Sequence, residues 1–476
     1  MRNKIKFGTD GWRAIIGEDF NLRNVEAVAQ AVADYLKRTT RNERRPTKVA
    51  VGYDRRRLSL QAARQISMVL AANGIKVILS DQALPTQVVS YVVRARKLTA
   101  GIMVTASHNP PQFNGIKIKS AFGGSAKIEV TNRIERLAFK RRPLKISIDR
   151  AKQKGLLKVV DLASDYLRFL RSYLDMQLLK KRGLKVLADP MHGTADSFVA
   201  KALKDTPSRV TTIRARHDFS FGGNKPEPIE PCVKKTALLI KKNHFDIGLV
   251  NDGDADRIAA LDGRGRFVNP QQIVSLLLLH LLRYRRLKGA IVKTISGTSL
   301  LDKIAKKYHL KIYETPIGFK HISELMQKKN ILIGGEEGGG IGVKDYIPER
   351  DGILCGLLLV ECMIARNMSL AGLLKDMEDE FGSFVYLRKD LRCPAEKKKL
   401  VRVRLADLSK KRSFAGIRVD KVKDYDGLKF YLADGSWILF RLSGTEPLLR
   451  IYAEAENRAK TKSLIANGKE ILKLGC

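Results

Sequence analysis

The sequence predicts an α/β protein: three mixed α/β domains followed by a smaller α+β domain. Three observations predict it. Apolar, β-branched runs alternate with stretches of helical period through most of the 476 residues, the pattern of parallel strands joined by crossover helices. Three successive units each release a polar loop from the end of an apolar run: TASHNPP at 105–111, DGDADR at 252–257 and GGEEGGG at 334–340. From about Phe384 the pattern changes to short strands and turns, with RLSGTEPLLR at 441–450 joining a polar turn to an alternating strand before a terminal helix. A chain this long exceeds one hydrophobic core and suits roughly three or four domains. The expected divisions are 1–148, 149–262, 263–382 and 383–476.

In the first unit Val25, Val28, Val32, Tyr35 and Leu36 recur at helical spacing, followed by a strand at 48–54 and a helix from about Ser59 to Gly74. Strands at 76–81 and 101–107 complete it. Ser107 then falls at the carboxyl end of a strand, where open α/β sheets place their ligands. A basic, weakly apolar stretch around 140–155 reads as a boundary. The second unit offers a strand at 184–190, a helix near 195–204 and the run 245–250 leading directly into DGDADR. The third offers strands at 290–295, 310–315 and 331–334 with helices near 299–307 and 319–328, and its last strand feeds the glycine loop.

Composition excludes several classes. The apolar stretches IVSLLLLHLL (273–282) and ILCGLLLVECMIA (353–365) are shorter than the run of about 20 residues that crosses a bilayer, and read as buried helices. MRNKIKFGTDGW lacks the apolar segment of a signal peptide, so a cytoplasmic location and no membrane partner are expected. Five cysteines without a CxxC pair favour free thiols over a disulfide frame or a zinc site. A net charge of +40, from 89 Lys and Arg against 49 Asp and Glu, would suit nucleic acid. The basic clusters are spread along the chain without aromatic interleaving, so they read first as a solvated surface, with a polyanion or steering of phosphorylated substrates as the alternative.

Asp252, Asp254 and Asp256 can turn three hard oxygen ligands toward one point, suiting magnesium or calcium. The EF-hand reading fails, because the sixth loop position is Arg257 where glycine is needed and the twelfth is Gly263 where glutamate is needed. Ser107 lacks a GxSxG elbow, which weighs against a hydrolase triad. A phosphorylated serine bridged by a divalent ion to the three carboxylates fits better, since phosphoryl transfer needs positioning and charge neutralisation above all. Lys117 or His108 would assist the proton. In RLSGTEPLLR, Arg441, Ser443, Gly444, Thr445 and Arg450 supply forked guanidiniums, hydroxyls and an open backbone for a phosphate. Glu336 can accept hydrogen bonds from vicinal sugar hydroxyls.

These phrases, together with FGTDGWRA at 7–14, resemble the α-D-phosphohexomutase family, phosphoglucomutases and phosphomannomutases included, over essentially the whole chain. The resemblance implies four domains around a central cleft, the last similar to the TATA-binding-protein fold, together with Mg2+ and an active phosphoserine. By matching phrase it implies Ser107 as the phosphoserine and a metal contact, Asp252, Asp254 and Asp256 as metal ligands, and Lys117 as general base. Arg13 and Arg257 would lie near the transferred phosphate, Lys320 and His321 along the cleft, Glu336 on the sugar, and Arg441, Ser443, Gly444, Thr445 and Arg450 on the other phosphate. Gly338 departs from the serine usual in the family's sugar loop, and Leu442 and Leu448 also depart from its phosphate-loop pattern. The implied reaction interconverts hexose 1-phosphates and 6-phosphates, of glucose and also mannose, through a 1,6-bisphosphate, with glucose 1,6-bisphosphate as activator and a monomer or dimer as the working form. A phosphoglucosamine mutase is the alternative enzyme, and a polyanion-binding protein on an inactive mutase scaffold is the alternative of another class.

Overall fold

The computed structural model of the chain describes residues 5–40, 46–444 and 447–472. Its first sheet has seven strands in the order Phe7–Gly8, Gly11–Ile15, Phe113–Ser120, Ala100–Val104, Lys48–Tyr53, Lys76–Ser80, Leu157–Val160. The last four are parallel to one another and the first three run antiparallel to their neighbours. Ala100–Val104 is buried throughout, which is why it reads as an unbroken apolar run. The helix Leu22–Thr39 covers one face with Val25, Val28, Val32 and Leu36, and the Asn21 side chain caps it by accepting from Asn24 N at 2.9 Å.

The sheet extends past the division expected at residue 148. Leu157–Val160 pairs in parallel with Lys76–Ser80, and the short helix Ile148–Gln153 leads into it. The basic stretch runs over the exposed surface before this last strand of the first sheet.

The second sheet orders Phe267–Val268, Ile258–Asp262, Ile247–Asn251, Lys185–Asp189 and Arg209–Thr212, and the third orders Ile312–Thr315, Ala290–Thr294, Ile331–Gly335 and Ile341–Val343. The second sheet likewise takes a strand, Phe267–Val268, from beyond the division expected at 262. All three sheets share one device: a strand from the parallel part turns through a hairpin into an antiparallel strand. The hairpins Val104 to Phe113, Asn251 to Ile258 and Gly335 to Ile341 carry the serine, the three aspartates and the glycine-rich glutamate loop respectively.

The helix Gly352–Ala365 packs against Ile247–Asn251, Ile258–Asp262 and the helix Pro270–Arg283, and is buried from Gly352 to Ile364. Its apolar face all round is that of a core helix, and among the described residues no single helix is long and apolar enough to cross a membrane. The fourth sheet is antiparallel, in the order Val385–Arg392, Leu448–Ala455, Trp437–Leu442, Leu428–Leu432, Ile417–Lys423, Ser413–Phe414, with its own apolar cluster and the helices Ala395–Leu408 and Arg458–Leu472.

Candidate active site

Ser107 is buried, and its Oγ donates to Asp252 Oδ2 at 2.6 Å. The His108 ring nitrogen Nδ1 lies 3.3 Å from the same hydroxyl. Burial, with Arg257, Arg13, Lys225 and Lys117 nearby, holds the His108 imidazole well below its ordinary pKa and so keeps it neutral. Arg13 steadies the serine loop by donating from Nη1 to Asn109 Oδ1 at 2.7 Å.

Lys117 lies on the return strand, opposite Met103. Its Nζ reaches Asp254 Oδ2 and Asp256 Oδ2 at 2.8 Å and Asp10 Oδ2 at 2.9 Å. Burial opposes its charge, but Asp10, Asp254 and Asp256 together outweigh burial and raise its pKa, so the resting form is the ammonium. Asp10 stands in the FGTDGWRA phrase, yet only the fold reveals its partners. It also meets Arg350, a buried guanidinium that donates to Asp256 Oδ2 at 2.8 Å and to Glu336 Oε2 at 3.3 Å. Arg350 thereby ties the N-terminal, aspartate and glutamate loops together. Sequence reasoning missed it, because ERDG carries no local sign beyond an Asp before a helix.

The three aspartates place one carboxylate oxygen each within 4.8 Å of one another. Asp254 Oδ1 and Asp256 Oδ1 are buried without a hydrogen-bond partner, and burial plus repulsion from Asp256 and Asp254 drives the Asp252 pKa well above the carboxylate range. Buried oxygens in excess of donors, all of them hard, fit a divalent cation such as Mg2+. The loop is held by the first domain: Thr86 Oγ1 donates to Asp254 Oδ2 at 2.5 Å and Gln87 Nε2 to Ala255 O at 3.0 Å.

Arg257 continues the aspartate loop into the glutamate loop, bridging Gly340 through the backbone while its Nη1 lies 3.8 Å from Glu227. A Cβ at Gly338 would stand 3.1 Å from Arg257 Nη1, so the guanidinium packs close against the glycine backbone. Glu336 is held beside Arg350, and burial raises its pKa. Lys320 and His321 open the helix Phe319–Lys328; burial lowers both, and Lys320 lies within the field of Asp10. Glu337 reaches the last domain, accepting from Tyr386 OH at 3.3 Å and lying 3.4 Å from Arg388 Nη1.

In the last domain Arg441 and Arg450 are direct cross-strand partners. Arg441 Nε donates to Asp426 Oδ1 at 2.9 Å, and Arg450 Nε lies 3.7 Å from Asp390 Oδ2. Ser443 N donates to Leu448 O at 2.9 Å, closing the turn, and Gly444 faces open space. Thr445 lies outside the described residues.

Phosphoryl transfer depends on aligned oxygens and neutralised charge, with little covalent work for the protein. A buried hydroxyl against carboxylates that fit a cation, with Lys117 and Arg350 paired to the same carboxylates, places this fold and site in the class of phosphotransferases. Models of the phosphoglucomutase/phosphomannomutase family match in order along the chain: alpha/beta/alpha domain I at residues 4–145, domain II at 164–265, domain III at 269–381 and the C-terminal domain at 400–468. A phosphoglucomutase/phosphomannomutase of Thermococcus kodakarensis is 30% identical over 98% of both chains. A phosphoglucosamine/phosphogalactosamine mutase of Sulfurisphaera tokodaii is 29% identical over 98% of both. A crystal structure from Thermus thermophilus, of a protein assigned as a phosphomannomutase, superposes with a TM-score of 0.85 at 32% identity over 99% of each chain. The chain belongs to the phosphoglucomutase/phosphomannomutase family, and is a phosphohexomutase, an intramolecular phosphotransferase.

Proposed function

We propose that the chain interconverts the 1-phosphate and 6-phosphate of glucose, and also of mannose, with Ser107 as the phosphoryl carrier and a hexose 1,6-bisphosphate as the intermediate. The observation that carries the reading is the 2.6 Å contact between Ser107 Oγ and Asp252 Oδ2 inside the aspartate loop. Mg2+, held by Asp252, Asp254, Asp256 and an oxygen of the phosphorylated serine, would supply charge neutralisation at the transferred group. Lys117, resting as the ammonium, gives a proton to the seryl oxygen as its bond to phosphorus breaks; as the neutral amine it takes the proton of the attacking sugar hydroxyl. Arg13 and Arg257 flank the transferred phosphoryl. Arg441, Ser443, Gly444 and Arg450, joined by Thr445, hold the phosphate that stays on the sugar. Glu336 orients the sugar hydroxyls, and Lys320 and His321 line the path. The bisphosphate must turn around before the second transfer, so one set of groups serves both orientations, and added glucose 1,6-bisphosphate would prime unphosphorylated enzyme.

The test is conversion of glucose 1-phosphate to glucose 6-phosphate with Mg2+ and a trace of glucose 1,6-bisphosphate, comparing the wild type with Ser107→Ala. Turnover should fall at least ~1,000-fold in the variant, the scale expected when a covalent carrier is removed. Mannose and glucosamine 1-phosphates run in parallel settle the sugar. A fastest rate with glucosamine 1-phosphate would replace the glucose reading with the phosphoglucosamine one, and equal rates in wild type and Ser107→Ala would end the phosphoserine assignment.

A further inference from the structure

Ser107 has a backbone φ of +52°, in the left-handed region, within a loop between Val104 and Phe113. That conformation is intrinsically unfavourable for serine, and within the loop Ser107 N donates to Thr105 Oγ1 at 2.9 Å. Arg56 lies against the loop and is only 2% exposed. Its Nη2 donates to Ser107 O at 2.5 Å and Asn109 O at 2.6 Å, and its Nη1 to Pro110 O and Phe113 O at 2.9 Å. One guanidinium therefore satisfies four carbonyls of the loop that presents Ser107. Nε faces Asp54 Oδ2 at 3.3 Å, and Asp54 Oδ1 accepts from Arg56 N at 2.9 Å and from Ser59 Oγ at 2.6 Å, so the cation is itself anchored.

The guanidinium packs on the ring of Phe221, whose centroid is 4.9 Å from Cζ. Phe221 belongs to the second domain, on the segment leading to Pro226, and Pro226 O accepts from Gly253 N at 3.2 Å. Arg56 is thus seated between the serine loop and the segment that backs the aspartate loop.

We propose that Arg56 is a positioning residue for phosphoryl transfer: it sets the conformation of residues 107–110, and through it the placement of Ser107 Oγ against Asp252. The inference rests on Ser107 as the phosphoryl carrier. Only an arginine can serve here. Its five donors are spread in a rigid plane, whereas a lysine brings three donors to one point and would leave several carbonyls unsatisfied. Misplacing a reacting atom by about 1 Å costs on the order of 100-fold in rate.

The experiment compares wild type, Arg56→Lys and Phe221→Leu, the last keeping every guanidinium hydrogen bond and removing only the ring. Three quantities are read: kcat and KM for glucose 1-phosphate, the melting temperature, and amide hydrogen exchange of the 105–113 peptide. In Arg56→Lys, kcat should fall about 100-fold with KM changed less than about threefold, and exchange should accelerate in 105–113 above the rest of the chain. Phe221→Leu should show the same signature at roughly 3- to 10-fold, and it carries the test alone if the lysine variant does not fold. A kcat loss that merely tracks the folded fraction, with 105–113 as protected as in wild type, overturns the proposal. If the wild type itself turns over no hexose phosphate, the mutase reading fails separately; unchanged protection of 105–113 in the variants would then still overturn the role of Arg56.

Discussion

Arg441 and Arg450 stand directly opposite each other on neighbouring antiparallel strands, a placement that like charges ordinarily avoid. Asp426 and Asp390 offset the repulsion from outside the pair, and the turn that joins the two strands carries Ser443 and Gly444. Such a pair is unfavourable for folding and suits the proposed phosphate site, where two forked donors would meet one dianion. Arg441→Gln should therefore raise KM for the hexose phosphate roughly 10- to 100-fold, the worth of a charge-assisted hydrogen bond, while leaving stability within about 0.5 kcal/mol. Steady-state kinetics and thermal unfolding on the same preparation check both halves, and an unchanged KM would remove Arg441 from the phosphate site. Gly338 lies close to another basic side chain: a Cβ there would stand 3.1 Å from Arg257 Nη1, so a larger residue would make that guanidinium shift by a few tenths of an ångström.

The helix Gly352–Ala365 begins at Asp351, whose side chain accepts from Leu354 N at 2.9 Å and from Tyr166 OH at 2.8 Å. Burial pushes the Asp351 carboxyl up to about 6 even against those hydrogen bonds. A folded-state pKa above the unfolded one means that the native protein holds the proton more tightly; stability from this group is fully present below about pH 4 and is lost as pH rises through about 6, by on the order of 3 kcal/mol. Asparagine caps as well and does not titrate. The melting temperature of Asp351→Asn should accordingly gain on the wild type between pH 4.5 and 7.5, and a gap that stays constant would contradict the shift. At this scale the sequence was informative where function is local. The serine, aspartate and glutamate loops were legible because each follows a buried strand and is written in consecutive residues. Asp10 with Arg350, and Arg56 with the serine loop, were not, because those contacts join residues far apart in the chain and neither arginine differs locally from the many basic residues of a +40 chain. The strand Leu157–Val160 was hidden for a related reason: only four residues long and half exposed, it is recognisable by its neighbour Lys76–Ser80 and not by its own composition.

Among the described residues, the last domain meets the rest of the molecule in two unequal places. Against the third domain it makes a seam in which Lys429 Nζ donates to Ile295 O at 2.6 Å, Ile317 N to Asp426 Oδ2 at 2.7 Å and Ser299 N to Glu454 Oε1 at 2.8 Å, around a cluster of Ile295, Trp437, Leu439 and Tyr452. Against the glutamate loop, among the described residues, it makes the longer contacts of Arg388 and Tyr386 with Glu337, at 3.4 and 3.3 Å. A firm attachment on one side and longer contacts on the other suit the proposed reaction, in which the last domain would open for a sugar phosphate and close over the bisphosphate while it turns around. Arg388 also pairs with Asp390, the carboxylate facing Arg450, so it links the glutamate loop to the Arg441–Arg450 pair through alternating charges. Under the proposed reaction, removing it should weaken closure while leaving the seam's hydrogen bonds in place. Arg388→Ala should leave the melting temperature within about 2 °C of wild type and increase the fraction of glucose 1,6-bisphosphate released per turnover several-fold, since an escape step competes with reorientation only while the cleft is open. The measurement is the yield of free bisphosphate when phosphorylated enzyme is mixed with glucose 1-phosphate; a release no greater than that of the wild type would mean that Glu337 and Arg388 meet without holding the cleft shut.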